Sequence, residues 1–133
     1  MKKAYSGSCH CGAVRFEAAL DLDQQTSKCN CSVCTKARFW KQVVPPEAVR
    51  VLQGEAALTE YRFGSGNIQH LFCSHCGIKP FGRGEVEGFG RFVAVNLACL
   101  DDAGDAALAA ASVQFEDGRN NDWSHPPAET RYL

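Results

Sequence analysis

Seven of the eight cysteines in this 133-residue chain fall into three tight groups. Cys9-His10-Cys11 is a C-x-C, Cys29-Asn30-Cys31-Ser32-Val33-Cys34 is a C-x-C-x-x-C, and Cys73-Ser74-His75-Cys76 is a C-x-x-C; Cys99 stands alone. Thiolates at such spacing bind metal. Zinc takes four ligands in a tetrahedron, with sulfur about 2.3 Å from the ion. Two cysteines separated by one or two residues in a tight turn can direct both sulfurs at one point. Gly12 and Gly77 each follow the second cysteine of a pair, and glycine readily takes the positive φ that such a turn needs.

Two such pairs, distant in sequence, complete a four-sulfur site with no position left for water. Cys9, Cys11, Cys73 and Cys76 account for one structural zinc in this way, with metal binding coupled to folding. The trio Cys29, Cys31 and Cys34 then offers three sulfurs, and three protein ligands with an open fourth position is the pattern of a catalytic zinc. Three thiolates around zinc leave a net charge of −1, which softens the Lewis acidity and suits a thiol better than peptide hydrolysis. Spacing alone leaves the partition open, because Cys29-Cys31 can pair with either other group. The competing reading is a set of buried thiols or disulfides, but packing does not produce three closely spaced groups.

The rest of the composition narrows the setting. Fourteen Lys and Arg stand against fifteen Asp and Glu, a formal charge of −1. No field of either sign steers the chain toward nucleic acid or an anionic membrane. Met1-Lys2-Lys3 is followed by no apolar signal segment, and no apolar run approaches the roughly 18 residues of a membrane span. A cytoplasmic chain with reduced thiols is expected, where clustered cysteines bind metal more often than each other. Its length and its 45% hydrophobic and 22% charged content fit one globular domain over 1–133.

The elements that must position these cysteines read as short strands. Val14, Phe16 and Ala18 alternate with Arg15 and Glu17, the period of a half-buried strand. Phe39 to Val44 is a second strand, stopped by Pro45-Pro46. Val49 to Leu52 and Leu58 to Phe63 follow, separated by Gly54; Gly64-Ser65-Gly66 is a turn, and Ile68 to Cys73 and Arg91 to Leu97 complete the sheets. Asp105 is expected to cap a short helix over Ala106 to Ala110, and a helical turn follows Ser32. The fold class is mainly β, antiparallel, with few helices and with cysteines at turns and strand ends.

Outside the clusters, single residues read conservatively. His10 and His75 lie inside cysteine turns whose sulfurs already fill the closed site, so both take surface or supporting roles. His70 is a strand histidine, His125 lies in a solvated tail, and Cys99 is a buried free thiol. Phe39, Trp40 and Phe81 belong to the core, with Trp40 placed to wall the open site. Lys79 and Arg83 are expected to be solvated charges. No general base is evident.

Gly7-Ser8-Cys9-His10-Cys11-Gly12-Ala13-Val14-Arg15-Phe16 resembles the opening motif of the glutathione-dependent formaldehyde-activating enzyme family, which also includes the centromere protein V type of domain. Cys29 to Cys34 is similar to its second motif, and Phe72-Cys73-Ser74-His75-Cys76-Gly77 to its third. Val95-Asn96-Leu97 through Leu100-Asp101, and Asp117-Gly118-Arg119 with Trp123, extend the likeness over about Ser6 to Trp123. The resemblance implies a β-tent of packed antiparallel sheets. It implies structural zinc ligands at Cys9, Cys11, Cys73 and Cys76 and catalytic zinc ligands at Cys29, Cys31 and Cys34. It also implies carbon–sulfur lyase chemistry on a small thiol or thiol–aldehyde adduct, of the S-(hydroxymethyl)glutathione kind. The rival expectation is a zinc-stabilised binding module without chemistry; a zinc-ribbon nucleic-acid binder is disfavoured by the near-neutral charge.

Overall fold

The structure, a computed structural model, describes residues 1–133. Alternation in the sequence becomes alternation in burial. β1 (Lys3–Ser8) and β2 (Arg15–Leu20) pair as an antiparallel hairpin, with Tyr5, Phe16, Ala18 and Leu20 buried. β3 (Thr26–Cys29), α1 (Ser32–Ala37) and β4 (Trp40–Val44) follow. β5 (Val49–Gln53) returns to the far edge of β2 and completes a three-stranded antiparallel sheet.

β6 (Leu58–Tyr61), β7 (Ile68–Cys73), β8 (Phe81–Val86) and β9 (Gly90–Asn96) form a meander. After it come α2 (Asp105–Ala110) and β10 (Val113–Glu116). The second sheet has seven strands in the order β10-β3-β4-β9-β8-β7-β6.

The core lies where the two sheets meet. Phe16 of the small sheet packs edge-on against Phe81 of the large one, with ring centroids 5.5 Å apart at 83°. Leu71, Val93, Val95 and Leu97 extend the same cluster. Burying each of the two phenylalanines contributes roughly 1.5–3 kcal/mol. No helix is long and apolar enough to cross a membrane.

Three details differ from expectation. β10 runs parallel to β3 at the edge of an otherwise antiparallel sheet. The cap of α2 is Gly104, with Asp105 the first helical residue and no side-chain cap bond; its carboxylate still suits the positive end of the helix. The strand over Leu58 ends at Tyr61, two residues short of Phe63.

Candidate metal centres

Cys9 and Cys11 sit in the turn of the β1–β2 hairpin, and Cys73 and Cys76 in the turn from β7 to β8. Gly12 (φ 80°) and Gly77 (φ 77°) take the left-handed conformation that reverses each turn. The turns are closed by backbone bonds from Cys9 N to Val14 O (3.1 Å) and from Gly77 N to Cys73 O (2.8 Å).

The four sulfurs lie within 4.8 Å of one another. Cys11 Sγ stands 3.7 Å from Cys9 Sγ and 3.7 Å from Cys73 Sγ. A tetrahedron with 2.3 Å arms has edges of about 3.8 Å, so this spacing fits a zinc ion at the centre. The Val14 and His75 amides donate to Cys9 Sγ and Cys73 Sγ at 3.3 and 3.4 Å; against burial, the Val14 bond helps to lower the Cys9 pKa. Amides of Cys11 and Ile78 push the Cys76 thiol down to about 6. Cys9, Val14 and Cys73 are buried and form a small core of their own. Metal here would join the two sheets.

The second cluster is local. Cys29 ends β3, Cys31 caps α1 and Cys34 lies in its first turns; their sulfurs also lie within 4.8 Å of one another. Three thiols so close cannot ionise independently. Hydrogen bonds from Cys29 and then Cys34 hold Cys31 down to about 2. The same contacts, with burial, push Cys34 up. One thiolate is shared among three sulfurs, and a divalent cation resolves that conflict by letting all three ionise. The donor set therefore fits a zinc ion with three protein ligands.

Late residues cover this trio. Asn30, buried between Cys29 and Cys31, donates from Nδ2 to Asp117 Oδ1 (2.8 Å) and accepts from the Arg119 amide (3.1 Å). Its own amide donates to Glu116 O at 3.1 Å. Glu116 is anchored in turn by a largely buried ion pair with Lys41 at 2.7 Å. A Cβ at Gly118 would stand 2.4 Å from Cys29 Sγ and 2.9 Å from the Trp123 ring, so only glycine passes this close. A cavity of about 40 Å³ beside Cys29 and Cys34 is walled by Lys28, Thr35, Phe39 and Tyr132. Thr35 Oγ1 is buried there without a hydrogen-bond partner. Arg38 leaves α1 at φ 51° and donates to Tyr132 O at 3.0 Å.

The structure thus brings the seven expected cysteines together as four and three, and leaves Cys99 outside both groups. Burial pushes Cys99 up to about 12, so it stays a thiol. His10, His75 and His125 are exposed. Phe39 and Phe81 are buried. Trp40 is half-buried, and its Nε1 donates to Thr26 Oγ1 at 2.8 Å. Arg83 pairs with Glu55 at 3.0 Å.

Lys79 departs from expectation. It is half-buried, with Nζ 2.8 Å from His70 Nδ1 and 4.2 Å above the Phe39 ring. Its isolation in sequence gave no sign of this, because the walls come from Phe39, just before β4, and from His70 of β7. The supporting role of Asn30 was also missed; a buried-type amide between two cysteines is the signal that could have found it.

The sequence model of the glutathione-dependent formaldehyde-activating enzyme family matches residues 4–117. Among solved structures, a crystal structure of a Rhodobacter sphaeroides protein superposes with a TM-score of 0.70 at 29% identity. That match covers 82% of this chain and 99% of the other.

Proposed function

The chain belongs to the glutathione-dependent formaldehyde-activating enzyme family, and from that premise we propose that it is a zinc-dependent carbon–sulfur lyase. Its substrate in this reading is the adduct of a small thiol with a small aldehyde, and it acts in the cytoplasm as a single domain. The observation that carries the reading is the separation of the sulfurs into a closed four and an incomplete three. The four need nothing further; the three leave one position for a ligand from outside.

Bound zinc would supply a Lewis-acid position that favours the thiolate form of an incoming thiol. The protein's own groups do the rest. Cys29, Cys31 and Cys34 hold the ion, and Asn30 and the Asp117–Arg119 stretch fix the backbone that presents them. Phe39 and the cover around Gly118 restrict water beside the trio, which strengthens electrostatic effects at the reacting atoms. Holding thiol and aldehyde together supplies much of the rate.

One observation favours the second reading, a zinc-stabilised binding module without chemistry. The cavity beside Cys29 and Cys34 is about 40 Å³, room for a water or two but not for a tripeptide thiol. A substrate must reach the trio from another side or displace Tyr132.

The test uses zinc-replete protein. Several small thiols, glutathione among them, are offered with formaldehyde, and its consumption is followed against the uncatalysed addition. The expected result is a rate above background that Cys31→Ser abolishes while the fold persists. Absence of both thiol binding and excess rate rejects the lyase and leaves the module.

A further inference from the structure

Lys79 has a placement that the metal chemistry alone does not explain. It leaves the Cys73–Cys76 turn and runs back across β8, with the Cβ position of Gly82 3.7 Å from its Nζ. A side chain on Gly82 would fill that path. No carboxylate pairs with Lys79; its side-chain hydrogen-bond partner is His70. A half-buried lysine without an acidic partner costs stability, so its retention there calls for a use.

Its surroundings point to the trio. The Phe39 ring beneath Nζ follows directly on α1, its amide donates to Cys34 O at 3.2 Å, and it lines the cavity with Cys29 and Cys34. Negative charge at Cys34 or Cys31 acts on Lys79, and at Cys31 on His70 as well. Lys41 of β4 is the other cation facing Lys79, while Arg83 of β8 is turned to Glu55. Burial, opposed by the two cysteines, lowers the Lys79 pKa. Burial and then the Lys79 charge push His70 down to about 4, so its ring is neutral. An ammonium has only hydrogens to offer, so Nδ1 accepts and the ring proton sits on Nε2. Phe63 stacks on that ring at 5.3 Å and 21°.

We propose that Lys79, steadied by the positioning residue His70, is the proton-transfer group of the three-cysteine site. This rests on the lyase reading. In the adding direction the thiolate sulfur pair forms the C–S bond and the carbonyl π pair moves to oxygen. The Lys79 ammonium gives that oxygen its proton, and the proton shed by the incoming thiol restores the ammonium. In the reverse direction the Lys79 amine takes the hydroxyl proton as the C–S bond breaks, and the departing thiolate recovers a proton.

The test compares zinc-loaded wild type with Lys79→Arg, which keeps a charge but not a transferable proton, and with Lys79→Ala. Zinc content and thiol affinity are measured first and are expected unchanged, and melting is expected not to fall. The expected result is a fall in kcat of about a hundredfold in both variants, with methylamine restoring rate to Lys79→Ala only. Wild-type kcat in either variant overturns the proposal. A readout independent of turnover is reductive methylation by formaldehyde and cyanoborohydride near neutral pH, followed by mass spectrometry. Lys79 is expected to react ahead of the exposed Lys36; equal or slower reaction overturns the proposal. Wild type without activity rejects the lyase reading itself, and the labelling still decides whether Lys79 carries a reactive amine.

Discussion

Cys11 and Cys73 stand 62 positions apart in the chain, yet their sulfurs are 3.7 Å apart. Cys29, Cys31 and Cys34 come from one short stretch. The same ligand type therefore does different physical work in the two places. Cross-linking a loop of about 60 residues removes roughly 4 kcal/mol of chain entropy from the unfolded state, and the closed cluster would do so while tying one sheet to the other. The trio closes almost no loop, so metal there adds little to the fold. What it would add is an ion with one protein ligand fewer than zinc prefers. The lesson is that long-range ligands serve stability and short-range ligands leave room for chemistry.

The most severe way to break this contrast is to remove one sulfur from each cluster. Cys73→Ser is expected to unfold the domain, since structural zinc in small domains is worth about 10–16 kcal/mol, as much as a whole domain's stability. Cys31→Ser is expected to lose only a few degrees of melting temperature. Circular dichroism melts with equal losses for both would erase the distinction.

Metal removal sharpens it next. Under a chelator with a colorimetric zinc reporter, the first equivalent should leave without loss of β signal, and the second only as that signal collapses. Release of both together with unfolding would mean that the trio is structural too.

A smaller effect is expected from Gly118→Ala. The added methyl would meet Cys29 Sγ and the Trp123 ring, a conflict worth about 1–3 kcal/mol. Zinc content should drop toward one per chain while the closed cluster keeps its ion. Unchanged content would show that the cover and the trio are uncoupled.

The smallest effect concerns His70, on the strand that ends at Cys73. Its folded pKa of about 4 lies below the usual 6.5. The unfolded chain therefore binds a proton that the folded chain refuses between those values. The resulting stability is complete above about pH 6.5 and is lost as pH falls toward 4. Melts of wild type should lose ground to His70→Asn across that window; parallel curves would remove His70 from the account.

The cysteine turns were legible in the sequence because ligand spacing and a following glycine are local properties. Val14 to Ala18 was legible for the same reason, through its alternation, and Ile68 to Cys73 was also read as a strand. β8 was not, since Gly82 and Gly84 give it little strand character and its neighbours on both sides impose it. The packing of Gly118 on Cys29 and the desolvation of Lys79 were hidden because each depends on what a distant segment brings. Asp105 was misplaced by one residue, as helix ends often are.

The parallel pairing of β10 with β3 also sets a sequence of events in time. On a chain emerging from the N-terminus, Cys29, Cys31 and Cys34 are exposed long before Cys73 and Cys76 exist to complete the other cluster. Their cover, from Glu116 to Trp123, arrives later still. A contact such as Arg119 to Asn30 spans 89 positions, and contacts of that range form slowly. The trio is therefore born open and is closed late. Metal, or an oxidant, can reach it throughout synthesis, so the order in which zinc and oxidant arrive decides whether the newborn chain matures with three thiolates or with a disulfide among them.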